Sequence, residues 1–116
     1  MAAITDEDRK IVYNYIIHNL TIRLLQSELK ENEKSTIKMK RVYLSANQYQ
    51  ESQALKQLKE LRKEMSTRGL RIVGEHTLDN DMTEFRYLCR GVPLTIHFED
   101  KELYKLIEEN RFELLR

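Results

Sequence analysis

At Gly69 the repeat of the apolar residues changes from that of a helix to that of a strand, and this boundary divides the chain into a helical half and a sheet half. Upstream, Ala54, Leu58, Leu61 and Met65 recur at three- and four-residue steps on one stripe, with Leu55 at its edge. Downstream of Leu70 the period is two. Gly69 stands where a helix end needs a left-handed residue, and Leu70 is placed to touch Met65 as the apolar pair of a Schellman stop. The second helix is expected over about 46–68, with Ser45 and Gln48 as its capping box.

Thr5 followed by Asp6, Glu7 and Asp8 reads as an N-cap with carboxylates over the positive end of a helix dipole. Neither Pro nor Gly interrupts the chain before Asn32, so the first helix is expected over about 6–31. Ile11, Tyr15, His18, Ile22, Leu25 and Leu29 share one stripe, whereas Tyr13, Ile16, Ile17, Leu20 and Leu24 fall on the opposite side. A helix apolar on two faces needs two covers, and the second is either the rest of this chain or another copy of it. The first stripe has the longer, more regular spacing of an intramolecular core. Tyr13, Ile17, Leu20 and Leu24 are therefore the expected protein interface. Between the helices, Ser35 to Leu44 alternates at Ile37 and Met39 and then breaks at Arg41-Val42, which suits a short strand or a short helix equally.

Two hairpin turns follow. A turn at Asn80-Asp81 opposes Glu75 to Arg86 and Val73 to Leu88; a turn at Asp79-Asn80 opposes Glu75 to Glu84 and Val73 to Arg86. The first register is preferred on charge pairing. A tight turn at Arg90-Gly91 sets Cys89 opposite Val92, Tyr87 opposite Leu94 and Phe85 opposite Ile96. Leu70, Ile72, Phe85, Tyr87, Cys89, Val92, Leu94, Ile96 and Phe98 are then the buried face. Pro93 has no N–H for a ladder, which places the third strand at a sheet edge. Asp100 is expected to cap a last helix with Leu103, Leu106, Ile107 and Leu114 on one side. The reading is one α+β domain over 1–116 in the order α-α-β-β-β-α, with the helices on one face of a three-stranded antiparallel meander.

A chain of 116 residues, 41% apolar and 34% charged, has room for one modest core and shows no low-complexity linker. Cys89 is the one cysteine, which excludes an internal disulfide, and Met1 to Lys10 is acidic where a signal peptide is basic and then apolar. A cytoplasmic location is expected. Asn14, His18, Asn19 and Arg23 interrupt the apolar run Ile11 to Leu25, so no membrane span is expected.

The chemistry-bearing residues do not form a recognised pattern. His18, His76, His97 and Cys89 lack the short converging spacing of a metal site, and Asp79-Asn80-Asp81 is followed by neither the Gly nor the closing Glu of a calcium loop. Cys89 on an apolar face behaves as a small hydrophobe. Gly69, Gly74 and Gly91 are too dispersed for a phosphate loop. No metal, cofactor or catalytic residue is expected, and an enzyme requires the fold to bring His76, His97, Glu84 and Arg86 to one concave surface.

Charge, by contrast, is organised. Residues 38–71 carry nine Lys or Arg against three Glu, whereas 1–37 has a net charge of −1 and 72–116 of −4. On the second helix Lys56, Lys59 and Lys63 lie opposite the apolar stripe, with Arg62 toward the flank, and Glu60–Lys63 and Glu64–Arg68 have the spacing to ease them. Glu102, Glu109 and Glu113 form an acidic ridge on the last helix. Leu44-Ser45 before a Gln- and Lys-rich helix, then Gly69-Leu70 and a polar hairpin, resembles the end of a winged helix-turn-helix domain over about residues 35–90. That resemblance implies a DNA-reading face of Gln48, Ser52, Lys56, Lys59 and Lys63, with Arg71 and Arg90 at the hairpin base. The residues favour a small non-enzymatic protein-interaction or regulatory module that self-associates through its first helix; the alternative is a DNA-binding regulator using the basic ridge.

Overall fold

The computed structural model describes residues 4–34 and 40–115. The elements are α1 (Asp6–Lys34), α2 (Lys40–Thr67), β1 (Leu70–Leu78), β2 (Met82–Cys89), β3 (Val92–Glu99) and α3 (Asp100–Glu113). This is the expected α+β order, with an antiparallel sheet β1-β2-β3. Phe85, Tyr87, Cys89 and Phe98 of the sheet meet Ile11, Val12, Ile16 and Ile17 of α1 in one core, closed by Met65 and Leu70 across the helix end at Gly69. A second cluster of Ile22, Leu25, Ala54, Leu58 and Leu114 joins the three helices, and Tyr15 packs against both. Helices of 29 and 28 residues run about 42–44 Å. Their antiparallel pair makes the molecule long, 57 × 33 × 20 Å.

Thr5 caps α1, and the cap is reciprocal. Thr5 Oγ1 accepts the Asp8 N–H at 3.1 Å while Asp8 Oδ2 accepts the Thr5 N–H at 3.0 Å. The Asp8 carboxylate is 1% exposed and also takes Arg68 Nη1 at 3.2 Å and Arg90 Nη2 at 2.9 Å. Arg90 in turn donates from Nη1 to the Arg68 carbonyl and from its backbone N–H to the Gly69 carbonyl, both at 2.8 Å. Gly69 takes φ +68°, and a Cβ there would lie 2.9 Å from Arg90 Cγ, so the helix stop and the close approach of Arg90 both require glycine.

Five expectations are corrected. α2 begins at Lys40, so Ser45 and Gln48 lie inside the helix: no Gly or Pro stops it, and Lys40 Nζ instead closes the end of α1 by donating to the Glu33 carbonyl. Residues 35–39 of the undecided segment lie outside the described residues. Neither two-residue turn joins β1 to β2; Leu78 pairs with Met82 around a loop of Asp79, Asn80 and Asp81, the last two at φ 66° and 55°. The register slips at Val73, because Ile72 opposes Tyr87 while Gly74 opposes Arg86. Glu75 is thereby brought to α1, where it binds Arg23 at 2.7 Å. Val92, at the outer corner of the edge strand, is exposed although its pairing with Cys89 is as expected. Glu99, not Asp100, occupies the N-cap of α3; the Asp100 N–H is satisfied by the Asp81 carbonyl at 2.8 Å.

The fifth correction concerns α1. Ile17 is buried in the sheet-side core, Tyr13 and Leu20 pack against it, and the Tyr13 ring lies 5.5 Å from that of Phe98. Leu24 is half-buried. The sheet therefore covers the face expected to meet a partner, while α2 and α3 cover Ile22 and Leu25 on the other.

Between α1 and α3, the Asn110 amide donates to Thr21 Oγ1 at 2.9 Å and faces His18 Nδ1 at 3.2 Å, a geometry in which the ring accepts. Burial lowers the His18 pKa, so the folded state binds that proton less readily than the unfolded one. The stability this gives is present above the ordinary His value of 6.5 and is lost as the pH falls through it. Urea midpoints measured from pH 7.5 to 5 are expected to decline in the native chain and to decline less in His18→Gln. Asp8 is held well below the usual carboxylate range, chiefly by Arg90 and then by the Thr5 N–H, so its contribution persists until the pH falls below about 4. Asp8→Asn is expected to cost about 3 kcal/mol in urea unfolding at pH 7, the low end for a broken buried pair because both arginines keep access to water.

Candidate functional site

The outward surface of α2 follows from its inward one. Asn47, Gln50, Ala54, Leu58 and Met65 are buried against the rest of the chain, which turns Gln48, Ser52, Lys56, Lys59, Arg62 and Lys63 to solvent. Among the described residues none of Lys56, Lys59, Arg62 and Lys63 forms an ion pair. The two helical pairings expected to ease them do not form. Arg68 is drawn across to Asp8 and to Glu7, at 3.2 and 3.0 Å, and leaves Glu64.

Gln48, Ser52, Lys56 and Lys59 line one shallow groove, whose other walls are Leu29 of α1 and Glu51 and Leu55 of α2. Leu55, read from the sequence only as the edge of a stripe, is 44% exposed and gives the groove an apolar side. Leu29 belongs to α1, and no spacing within α2 announces it. Lys63 is exposed beyond this groove. Arg71 lies apart, in a separate depression with Tyr15, Arg62, Met65, Ser66 and Ile72. Arg90, placed at the hairpin base by the winged-helix resemblance, is held by Asp8. Residues 40–44, where a preceding short helix would end in that arrangement, are the first turn of α2 itself.

The acidic ridge on α3 is also exposed at Glu102, Glu109 and Glu113. Burial, together with the charges of Glu102 and Glu109, raises the Tyr13 pKa, which places those two carboxylates beside α1. On the outer sheet face His76, Glu84 and His97 form one cross-strand row. Glu84 accepts from Arg86 Nε at 3.1 Å and lies 3.1 Å from His97 Nε2; the Arg86 hydrogen bond is the main cause of its lowered pKa. The four residues named as a conditional catalytic set thus share a face, but none of them lines the grooves just described. No group of His, Cys, Asp and Glu among the described residues is arranged to hold a metal ion. Cys89 is buried in the core. No helix among the described residues is long and apolar enough to cross a membrane.

Neither the curated proteins nor the solved structures yield a match to this chain. A family model described as YhjD protein matches residues 3–115, from the cap of α1 through the whole of α3. By that match the chain belongs to the YhjD protein family.

Proposed function

We propose that the chain is a cytoplasmic, non-enzymatic protein-binding module that presents the outward face of α2 to an acidic surface, in the first instance the α3 ridge of a second copy. The observation that carries this reading is the uncompensated row Lys56, Lys59, Lys63 beside the groove with Leu29 and Leu55. Glu102 and Glu109 are likewise without an ion pair among the described residues, so the two poles are left to meet between copies. Two such contacts close a twofold dimer. Each exposed pair contributes about 0–1 kcal/mol, so charge orients the assembly while apolar contact at Leu29 and Leu55 supplies the larger part of the association. On this reading self-association uses α2, the Leu29 end of α1 and α3, rather than the Tyr13, Ile17 and Leu20 face of α1, which packs into the sheet-side core.

Light scattering over a concentration series at about 50 mM salt is expected to give a mass rising above 14.0 kDa, and high salt is expected to reverse it. Replacing Lys56, Lys59 and Lys63 by Glu should hold the protein at the monomer mass, and mixing that variant with Glu102→Lys/Glu109→Lys should restore the heavier species. A strict monomer at high micromolar concentration in low salt removes the reading.

Duplex DNA is the second reading, favoured by the row Gln48, Ser52, Lys56, Lys59 on one exposed helix face. Retention on duplex DNA at about 50 mM salt and its steep loss by 200 mM are its expected signs. Failure to bind at low salt rules it out.

A further inference from the structure

Where α1, the turn-side ends of β1 and β2 and the first two turns of α3 come together, the surface holds an open pocket of about 300 Å³. Its floor is apolar, made by Leu20 of α1 with Leu103 and Ile107 of α3. Its rim is polar: the hydroxyls of Thr77 and Thr83, the Asp100 carboxylate and the Tyr104 ring. This is a small-molecule site in miniature, a greasy body with a few convergent polar groups at one end.

The polar end has a definite charge. Asp100 Oδ1 accepts the Thr83 hydroxyl at 2.8 Å, and no other side chain among the described residues binds that carboxylate, which leaves Oδ2 for a ligand. The Asp100 N–H holds the Asp81 carbonyl at 2.8 Å, which ties the turn Asp79-Asn80-Asp81 to the start of α3, although none of its three residues lines the pocket. Lys101, the neighbouring base in sequence, does not line the pocket. The positive end of the α3 dipole opposes a cation here, but it amounts to about half a charge and is answered by Asp100 and Glu102 in the first turn. Tyr104 lies one helical turn after Asp100 on the same side, 72% exposed, and has no aromatic partner among the described residues. An exposed ring beside a carboxylate over an apolar floor is the combination that recognises an organic cation.

We infer that this pocket binds a small organic ammonium ion with an apolar body, of the size of an arylalkylamine. The ammonium donates to Asp100 Oδ2 in front of the Tyr104 ring, and the hydrocarbon lies over Leu20, Leu103 and Ile107. A ligand of this size is expected to bind in the millimolar range.

The probe is 2-phenylethylammonium, titrated into the isotopically labelled full chain at pH 7 and constant salt while amide chemical shifts are followed. Saturable shifts are expected at Thr77, Thr83, Asp100, Leu103 and Tyr104. Neutral 2-phenylethanol should bind at least tenfold more weakly and phenylacetate not at all. Asp100→Asn keeps an acceptor for Thr83 and removes the charge, so it should weaken the ammonium at least tenfold with little effect on the alcohol. Tyr104→Leu, at a side chain that contributes little to the core, should weaken it severalfold with shifts elsewhere unchanged. Absence of saturable shifts at this surface overturns the inference, as does equal binding of alcohol and ammonium, or undiminished ammonium binding by a folded Asp100→Asn.

Discussion

The carboxylate of Asp8 is the point at which three distant parts of the chain are tied. It closes the cap of α1, receives Arg68 from the end of α2 and receives Arg90 from the β2–β3 turn. A buried carboxylate without partners is strongly disfavoured, so the fold is obliged to bring both guanidiniums to it. Set against an apolar replacement, such a triad adds little net stability, because its attraction is offset by the desolvation of its members. Its larger effect is on geometry: with Arg90 also holding the Arg68 and Gly69 carbonyls, the entry of α1, the exit of α2 and the hairpin tip share one fixed corner. The sheet-side core of Ile11, Val12, Met65, Leu70 and Cys89 is assembled from the elements that leave this corner.

Within β1, one extra residue decides which side chains face the helices. The bulge at Val73 reverses the alternation of β1, so that Leu70 faces inward before it and Glu75, paired with Arg23, faces α1 after it. Thr77 follows Glu75 onto the inner side and becomes part of the rim of the pocket beneath α3, while His76 is sent to the outer face beside Glu84. A single irregularity thus separates the pocket lined by Asp100 from the His76–Glu84–His97 row.

Arginine and lysine divide the electrostatic roles. Arg23, Arg68, Arg90 and Arg111 hold elements together, Arg111 by a two-point contact with Glu28 at 2.8 and 3.0 Å. Planar guanidiniums suit such paired contacts. Lys56, Lys59 and Lys63 of α2 are left in water, so part of the excess positive charge of residues 38–71 is free to act at long range.

What is local in cause was legible in the sequence. Gly69 ends α2, positive φ at both Arg90 and Gly91 gives the tight turn that sets the β2–β3 register, and the outward row Lys56, Lys59, Lys63 follows from 3.6-residue periodicity. Where local and distant causes compete, the sequence misleads. Ser45 looks like a cap, but a cap is worth about 1 kcal/mol, and with no Gly or Pro to stop it α2 extends back to Lys40. The Val73 bulge satisfies Glu75 with an arginine 52 positions away, which no cross-strand pairing rule contains. The two apolar faces of α1 stated that two covers were needed; only the tertiary structure decided that the sheet supplies one and α2 with α3 the other. Periodicity reports what a segment must hide or show, whereas the identity of its partner depends on how the whole chain closes.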